Sequence, residues 1–389
     1  MARGTGAGAV SRFPLFALLL VFELLCAGCA TRPESGFLVP VAMRVDGARA
    51  HRILIASTRE RDDRPGTLYN GERSGGLGYA EVTVSVPPTH KAGAIEWPSQ
   101  PPGDPDVDFV ARDLGYLKGD ADFLRKLNAE LALQPPGKRH VLLFVHGYNT
   151  MFAESLYRFT QVVDDSRTTA APVLFTWASR GKLDAYIYDN NSATIARDSL
   201  EHTIRLLFAS KADQVNILAH SMGNWTTVEA LRQIKLEGGL PHKEKLGVVV
   251  LAAPDIDIDV FKSEMRRFGK PAKPFYVVLS KDDRALALSK LLAGGKDRLG
   301  EDPDVAELAR LGAVVIDLTH LKSDDPANHG KFAQLAAAAP ELWPVLEKGI
   351  AGPPPSSVVE KAGQGLGEII TKPLVALGAP ITLIQESRP

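Results

Sequence analysis

Val215-Asn216-Ile217-Leu218-Ala219-His220-Ser221-Met222-Gly223 couples a short apolar run to a serine flanked at two removes by small residues. The run 215–219 reads as a buried strand. The residues after Gly223, with Trp225 and Val228 on one face, read as an amphipathic helix. A serine on the sharp turn between such elements requires small neighbours. Ala219 and Gly223 supply them, with Ala where the G-x-S-x-G pattern has its first glycine. The turn lifts the Ser221 hydroxyl above the strand end and aims the Met222 N–H, at a helix N-terminus, toward a developing oxyanion. The plain alternative is a buried serine in a tight turn without chemistry.

The same rhythm extends on both sides. Apolar runs at 141–145, 173–177, 247–253, 275–279 and 313–317 alternate with helical stretches near 152–163, 191–209, 222–237, 258–268, 284–293 and 330–348. Short runs that are apolar on both faces are parallel strands covered by helices, so 37–348 is expected to be an α/β domain with a doubly wound, mostly parallel sheet. Ligands of such sheets bind beyond the carboxyl ends of the strands. An N-terminal β extension, 37–105, holds strands at 51–56 and 79–86, a loop at 61–66 and a Pro-rich connector at 98–105. Residues 109–132 are expected to be helical, and 349–389 form an appended tail.

Residues just past each strand are the candidates for chemistry. His146-Gly147-Tyr148-Asn149 follows strand 141–145; Gly147 allows close backbone approach, the Tyr148 N–H is the second candidate oxyanion donor, and His146 reads as a brace for the loop. A base needs an acid to fix its tautomer, in the chain order serine, acid, histidine. Ser280-Lys281-Asp282-Asp283 follows strand 275–279 and favours Asp283, with Asp282 as a solvated loop charge; Asp255, after the preceding strand, is a further candidate. Two histidines, His320 and His329, follow the last strand. A base must swing over the nucleophile from a loop of some reach, which favours His329 and leaves His320 as a strand-end hydrogen bonder. His220 adjoins the nucleophile and reads as structural.

Taken together, Phe144-Val145-His146-Gly147-Tyr148-Asn149, Thr176-Trp177-Ala178-Ser179-Arg180-Gly181, Ala219-His220-Ser221-Met222-Gly223 and Asn328-His329-Gly330 resemble an uncharacterised bacterial family of α/β-hydrolases, esterase/lipase-like serine hydrolases. Tyr186, Tyr188-Asp189 and Arg197-Asp198 are similar to that family too, as are Ala56-Ser57-Thr58-Arg59 and Ser85-Val86-Pro87-Pro88-Thr89-His90 upstream. The resemblance spans about residues 50–345. It implies the α/β-hydrolase fold and a Ser221–Asp283–His329 triad, and it carries no settled substrate. The expected activity is hydrolysis of a carboxylic ester through an acyl-enzyme, with lipid or envelope acyl groups in view and no cofactor or metal required. Amide cleavage or acyl transfer would use the same residues. A non-catalytic envelope lipoprotein using the fold as a binding module is the competing class.

The N-terminus is different in kind. Arg3 and Arg12 precede the apolar run 13–25, which is too short to span a bilayer and reads, over residues 1–28, as a secretory signal. It ends in Cys26-Ala27-Gly28-Cys29. Ala-Gly-Cys resembles the bacterial lipobox, with Cys26 where leucine is usual, and marks Cys29 for lipidation at the head of a tether, 29–36. Ala30 after that cysteine points to the outer membrane, on the periplasmic side. Cys26 and Cys29 are the only cysteines, so a mature chain beginning at Cys29 has no disulfide, zinc thiolate site or cysteine nucleophile. The 45 Lys+Arg against 46 Asp+Glu show no basic stripe, which argues against a nucleic-acid partner. The expected partners are an acyl-ester substrate and the membrane.

Overall fold

A computed structural model describes residues 35–323 and 325–338 and the two-residue strands Val375–Ala376 and Ala379–Pro380. The signal and Cys29, with the tether before Ser35, the stretch 339–348 and the rest of the tail, lie outside the described residues.

The main sheet has nine strands: β1 (Arg49–Asp62), β2 (Leu68–Val86), β3 (Val110–Leu117), β4 (His140–Val145), β5 (Ala171–Thr176), β6 (Gln214–His220), β7 (Leu246–Ala252), β8 (Phe275–Leu279) and β9 (Ala313–Asp317). Their order is β3-β2-β1-β5-β4-β6-β7-β8-β9. β2 alone runs against its neighbours, because it forms a hairpin with β1 and pairs antiparallel with β3. All the other pairings are parallel.

Period-two alternation sends each strand's side chains to two cores. Val141, Leu143, Val145, Ile217, Val249 and Leu251 pack on one side with α1 (Asp120–Leu131), α3 (Tyr186–Ala209), α4 (Met222–Leu236) and α5 (Ile258–Phe268). Leu142, Phe144, Leu218 and Val250 pack on the other with α2 (Phe152–Asp165) and α8 (Lys331–Ala338). The remaining helices are α6 (Arg284–Leu292) and α7 (Val305–Arg310). This is the doubly wound α/β-hydrolase architecture.

The expected helix over 109–132 is only half present. Residues 110–117 form strand β3 and α1 begins at Asp120. Pairing with β2 from Ser85↔Val110 to Tyr79↔Leu117 supplies a sheet edge that outweighs the local helical pattern. The N-terminal region is likewise part of the one sheet. β1 pairs with β5 only from Leu54 to Ser57, so the outer β1–β2 hairpin overhangs the carboxyl end of the sheet.

Candidate active site

Ser221 stands between β6 and α4 with φ 54° and ψ −127°. A non-glycine residue there carries strain of about 1–3 kcal/mol, which the surroundings must hold. They do so through main-chain bonds: the Ser221 N–H donates to the Ala252 carbonyl at 3.0 Å, and Asn224 Nδ2 donates to the carbonyls of Ser221 and Ala252, both at 2.8 Å. Two glycines interlock the turn with the loop after β4. A Cβ on Gly147 would lie 2.5 Å from Ser221 Cβ, and one on Gly223 would run into the His146 carbonyl oxygen. Gly147 therefore admits Ser221 itself to the loop. The Met222 amide opens α4 beside Ser221, and Tyr148 follows Gly147 in the facing loop. The Tyr148 ring packs edge-on to Tyr186, with centroids 5.2 Å apart, and its hydroxyl donates to the Leu183 carbonyl.

Asp283 and His329 meet. Asp283 caps α6, one oxygen accepting from the Ala285 and Leu286 amides at 3.0 Å each, while Oδ2 lies 2.7 Å from His329 Nδ1. That bond puts the ring proton on Nδ1 and leaves Nε2 as the basic nitrogen. Burial alone would lower the His329 pKa. The Asp283 bond and charge, with Asp255 and Asp325 beyond, overcome it and hold the ring above its ordinary value. The His220 ring lies 4.6 Å from the His329 ring, and its Nε2–H donates to the His329 carbonyl at 3.2 Å. His220, next to Ser221 in the chain, is thus tied to the histidine loop. Burial, then the His329 charge, pushes its pKa well below normal. No hydrogen bond joins Ser221 to His329 among the described residues. In unliganded sites this bond commonly tightens only when substrate enters.

Asp282 is exposed, as a solvated loop charge should be, but it is also paired. The Lys331 ammonium, 3% exposed, donates to both Asp282 carboxylate oxygens at 2.7 and 2.9 Å and to Ser280 Oγ and the Leu318 and Thr319 carbonyls. Asn328 Nδ2 donates to Asp282 Oδ2 at 3.0 Å. Asp282 therefore clamps the acid loop to the histidine loop. Lys331 gave no sequence signal, since a lysine at the start of a helix ordinarily faces water. His320 is exposed. Asp255 is buried and tied elsewhere: Arg298 Nε lies 3.2 Å from it and Ser289 Oγ donates to it at 2.6 Å.

One grouping among the described residues could hold a metal ion, His90 with Asp164 and Asp165, whose ligand atoms lie within 4.8 Å of one another. It belongs to other work. Arg49 donates twice to Asp164 at 2.6–2.7 Å, and His90 is shared between Glu96 and Asp165.

Residues 122–345, more than half of the chain, match the family described as "Alpha/beta hydrolase of unknown function (DUF900)". The chain belongs to this family. The matched span runs from α1 into the stretch after α8, so it holds Ser221, Asp283 and His329 and excludes the hairpin of β1 and β2. No curated protein matches. Among solved structures, lipase B of Aspergillus fumigatus is similar at 17% identity and a TM-score of 0.28, covering 50% of this chain; the chain spans about half of that lipase, 48%. A mutant form of the esterase rPPE is similar at 13% identity and a TM-score of 0.33, covering 86% of this chain and 97% of its own. A thermostable esterase from Pseudomonas putida is similar at 12% identity and a TM-score of 0.31, covering 85% and 91%.

Proposed function

We propose that this family member is a serine hydrolase of carboxylic esters that works through an acyl-enzyme. The observation that carries the reading is the strained Ser221 turn, locked against the Gly147 loop at the end of the sheet where the Asp283–His329 pair also stands. In this mechanism His329 Nε2 takes the Ser221 proton as Oγ attacks the acyl carbonyl. The Tyr148 and Met222 amides stabilise the oxyanion, and Asp283 holds the tautomer and the charge that develops on the ring. The alcohol leaves with the proton from His329, and water, activated by the same nitrogen, releases the acid.

The test is labelling by a fluorophosphonate probe together with turnover of p-nitrophenyl esters of graded acyl length. Ser221→Ala should abolish labelling and lower turnover by about 10⁶-fold, as loss of a triad nucleophile does, while the far-ultraviolet circular dichroism stays unchanged. Labelling that persists in that variant would remove Ser221 from the mechanism.

For location, the reading is an exported lipoprotein held by lipid on Cys29. It is supported by Arg3, Arg12, the 13–25 run and Ala27-Gly28-Cys29. No helix among the described residues is long and apolar enough to cross a membrane. Diacylglycerol plus an N-acyl group supplies enough chains for stable anchoring, where a single chain holds only marginally. Cys29→Ser should lose palmitate label and leave the membrane fraction; a variant unchanged in both respects refutes the anchor.

A further inference from the structure

Arg59, on the overhanging part of β1, is 1% exposed and surrounded by acceptors. Its Nε donates to Thr176 Oγ1 at 2.7 Å, Nη1 to the Ser179 carbonyl at 2.8 Å and the Asn70 carbonyl at 3.2 Å, and Nη2 to the Thr150 carbonyl at 2.7 Å. Three segments are thereby fastened together: the hairpin, the loop after β4 and the loop after β5. Nη2 also lies 3.3 Å from His146 Nε2.

Two further donors converge on that same nitrogen. The Thr176 hydroxyl, which accepts from Arg59, lies 2.9 Å away, and the Trp177 N–H donates at 3.2 Å. A nitrogen facing a guanidinium, a hydroxyl and an amide must be the unprotonated one, so the ring hydrogen resides on Nδ1. Nδ1 lies 2.8 Å from the Gly147 carbonyl oxygen, which can only accept. In a trans peptide the carbonyl and the following N–H point in opposite directions. Drawing the Gly147 oxygen back toward the His146 ring therefore turns the Tyr148 N–H away from that ring. The ring is also held flat, stacked on Trp177 with centroids 5.0 Å apart.

The geometry points to Arg59 as a positioning residue for the oxyanion donor: it fixes the His146 tautomer, which orients the Gly147–Tyr148 peptide. This inference rests on the serine-hydrolase reading above. Burial pushes the guanidinium down to about 10, so it stays charged at neutral pH. Burial and then that charge hold His146 well below its ordinary pKa, which keeps the ring neutral.

The experiment is nitrogen-15 NMR of the histidine rings in the full-length protein, read beside ester kinetics. In the wild type, His146 should show the neutral Nδ1–H tautomer from pH 5 to 9. Arg59→Met should lower kcat by about 10–100-fold, less than outright removal of an oxyanion donor, with KM within threefold and the His146 tautomer mixed. Arg59→Lys, which keeps a cation beside Nε2, should restore the tautomer and most of kcat. Thr176→Val is a second variant should the Met protein misfold: it removes the hydroxyl that faces Nε2 and accepts from Arg59 Nε, and should shift tautomer and kcat in the same direction. An Nε2–H ring in the wild type, or an unchanged kcat in a folded Arg59→Met protein, overturns the inference. A wild type that neither turns over esters nor takes the probe would instead sink the proposed function, and the tautomer would still report on the Arg59 contact.

Discussion

The parallel part of the sheet, β4 to β9, and the antiparallel arm, β1 to β3, meet at one end of the molecule and serve it differently. From the parallel part come the groups proposed to make and break bonds: Ser221 after β6, Asp283 after β8 and His329 after β9. Each sits within a few residues of a strand end, or on a loop clamped to one, where the fold dictates its position. The arm supplies none of those groups. It contributes Arg59, whose donors fasten the Thr150 and Ser179 carbonyls, and Arg73, which bonds Ser192 at 2.8 Å on α3. The loop after β4, which carries the Tyr148 amide, is thus held by the arm as well as by its own strand.

If that division is right, substitutions should sort by region. The largest effect beyond Ser221 belongs to Asp283→Asn, which should lower kcat by about 10⁴-fold through the wrong ring tautomer. The same change should move the acid limb of the kcat/KM profile. His329 works as a base only when neutral, and the Asp283 bond and charge oppose burial to raise its pKa. The wild-type limb should therefore lie above pH 6.5, and the Asn variant's limb should fall to lower pH. A limb that stays put would detach Asp283 from the base.

Asp282→Asn sharpens the contrast within a single loop. It leaves the buried Lys331 ammonium without its carboxylate, which should cost about 1–3 kcal/mol of stability by denaturant titration, while kcat at 20 °C stays within tenfold. A kcat loss equal to that of Asp283→Asn would mean the two carboxylates act as one.

The smallest effect, one of stability alone, belongs to Glu264 on α5, which is far from either region's chemistry. It is 3% exposed, neither carboxylate oxygen has a well-formed hydrogen bond among the described residues, and burial, then the neighbouring Glu229 carboxyl, raises its pKa to about 9. The folded state then holds a proton that the unfolded chain releases near pH 4.5. The contribution is full below that pH and is lost progressively as pH rises through about 9. Glu264→Gln should match the wild type in Tm near pH 4.5 and exceed it at pH 8.5 by a few degrees, at roughly 2 °C per kcal/mol. Equal Tm values at pH 8.5 would count against a buried neutral carboxyl.

The same two regions differ in how far they could be read in advance. Short two-sided apolar runs and small residues around a serine are local signals, so strands β4 to β9 and the candidates Ser221, Asp283 and His329 stand out in the sequence. The arm's role does not. Arg59 opens the charged run 59–64 and looks like part of it, and only the Thr176 hydroxyl and the carbonyls of Asn70, Thr150 and Ser179 explain its burial. Those partners lie up to 120 residues away. β3 was obscured for a related reason, since its strand conformation comes from the edge of β2. Lys331 and Asp282 show the limit most plainly: a lysine that looks solvated in the sequence is buried because an exposed carboxylate on another loop reaches it.

Gly147 and Gly223 carry a consequence for variation. Each is compelled by an atom belonging to the other's neighbourhood, Ser221 in one case and the His146 carbonyl in the other. Neither position can take a side chain unless the opposing loop retreats, and a retreat by either loop separates nucleophile from amide. Drift at these two sites is thus closed jointly, and more room above Ser221 cannot be reached by trading residues there. Any widening has to come from side chains elsewhere, which can change size without moving the backbone that the two glycines hold in contact.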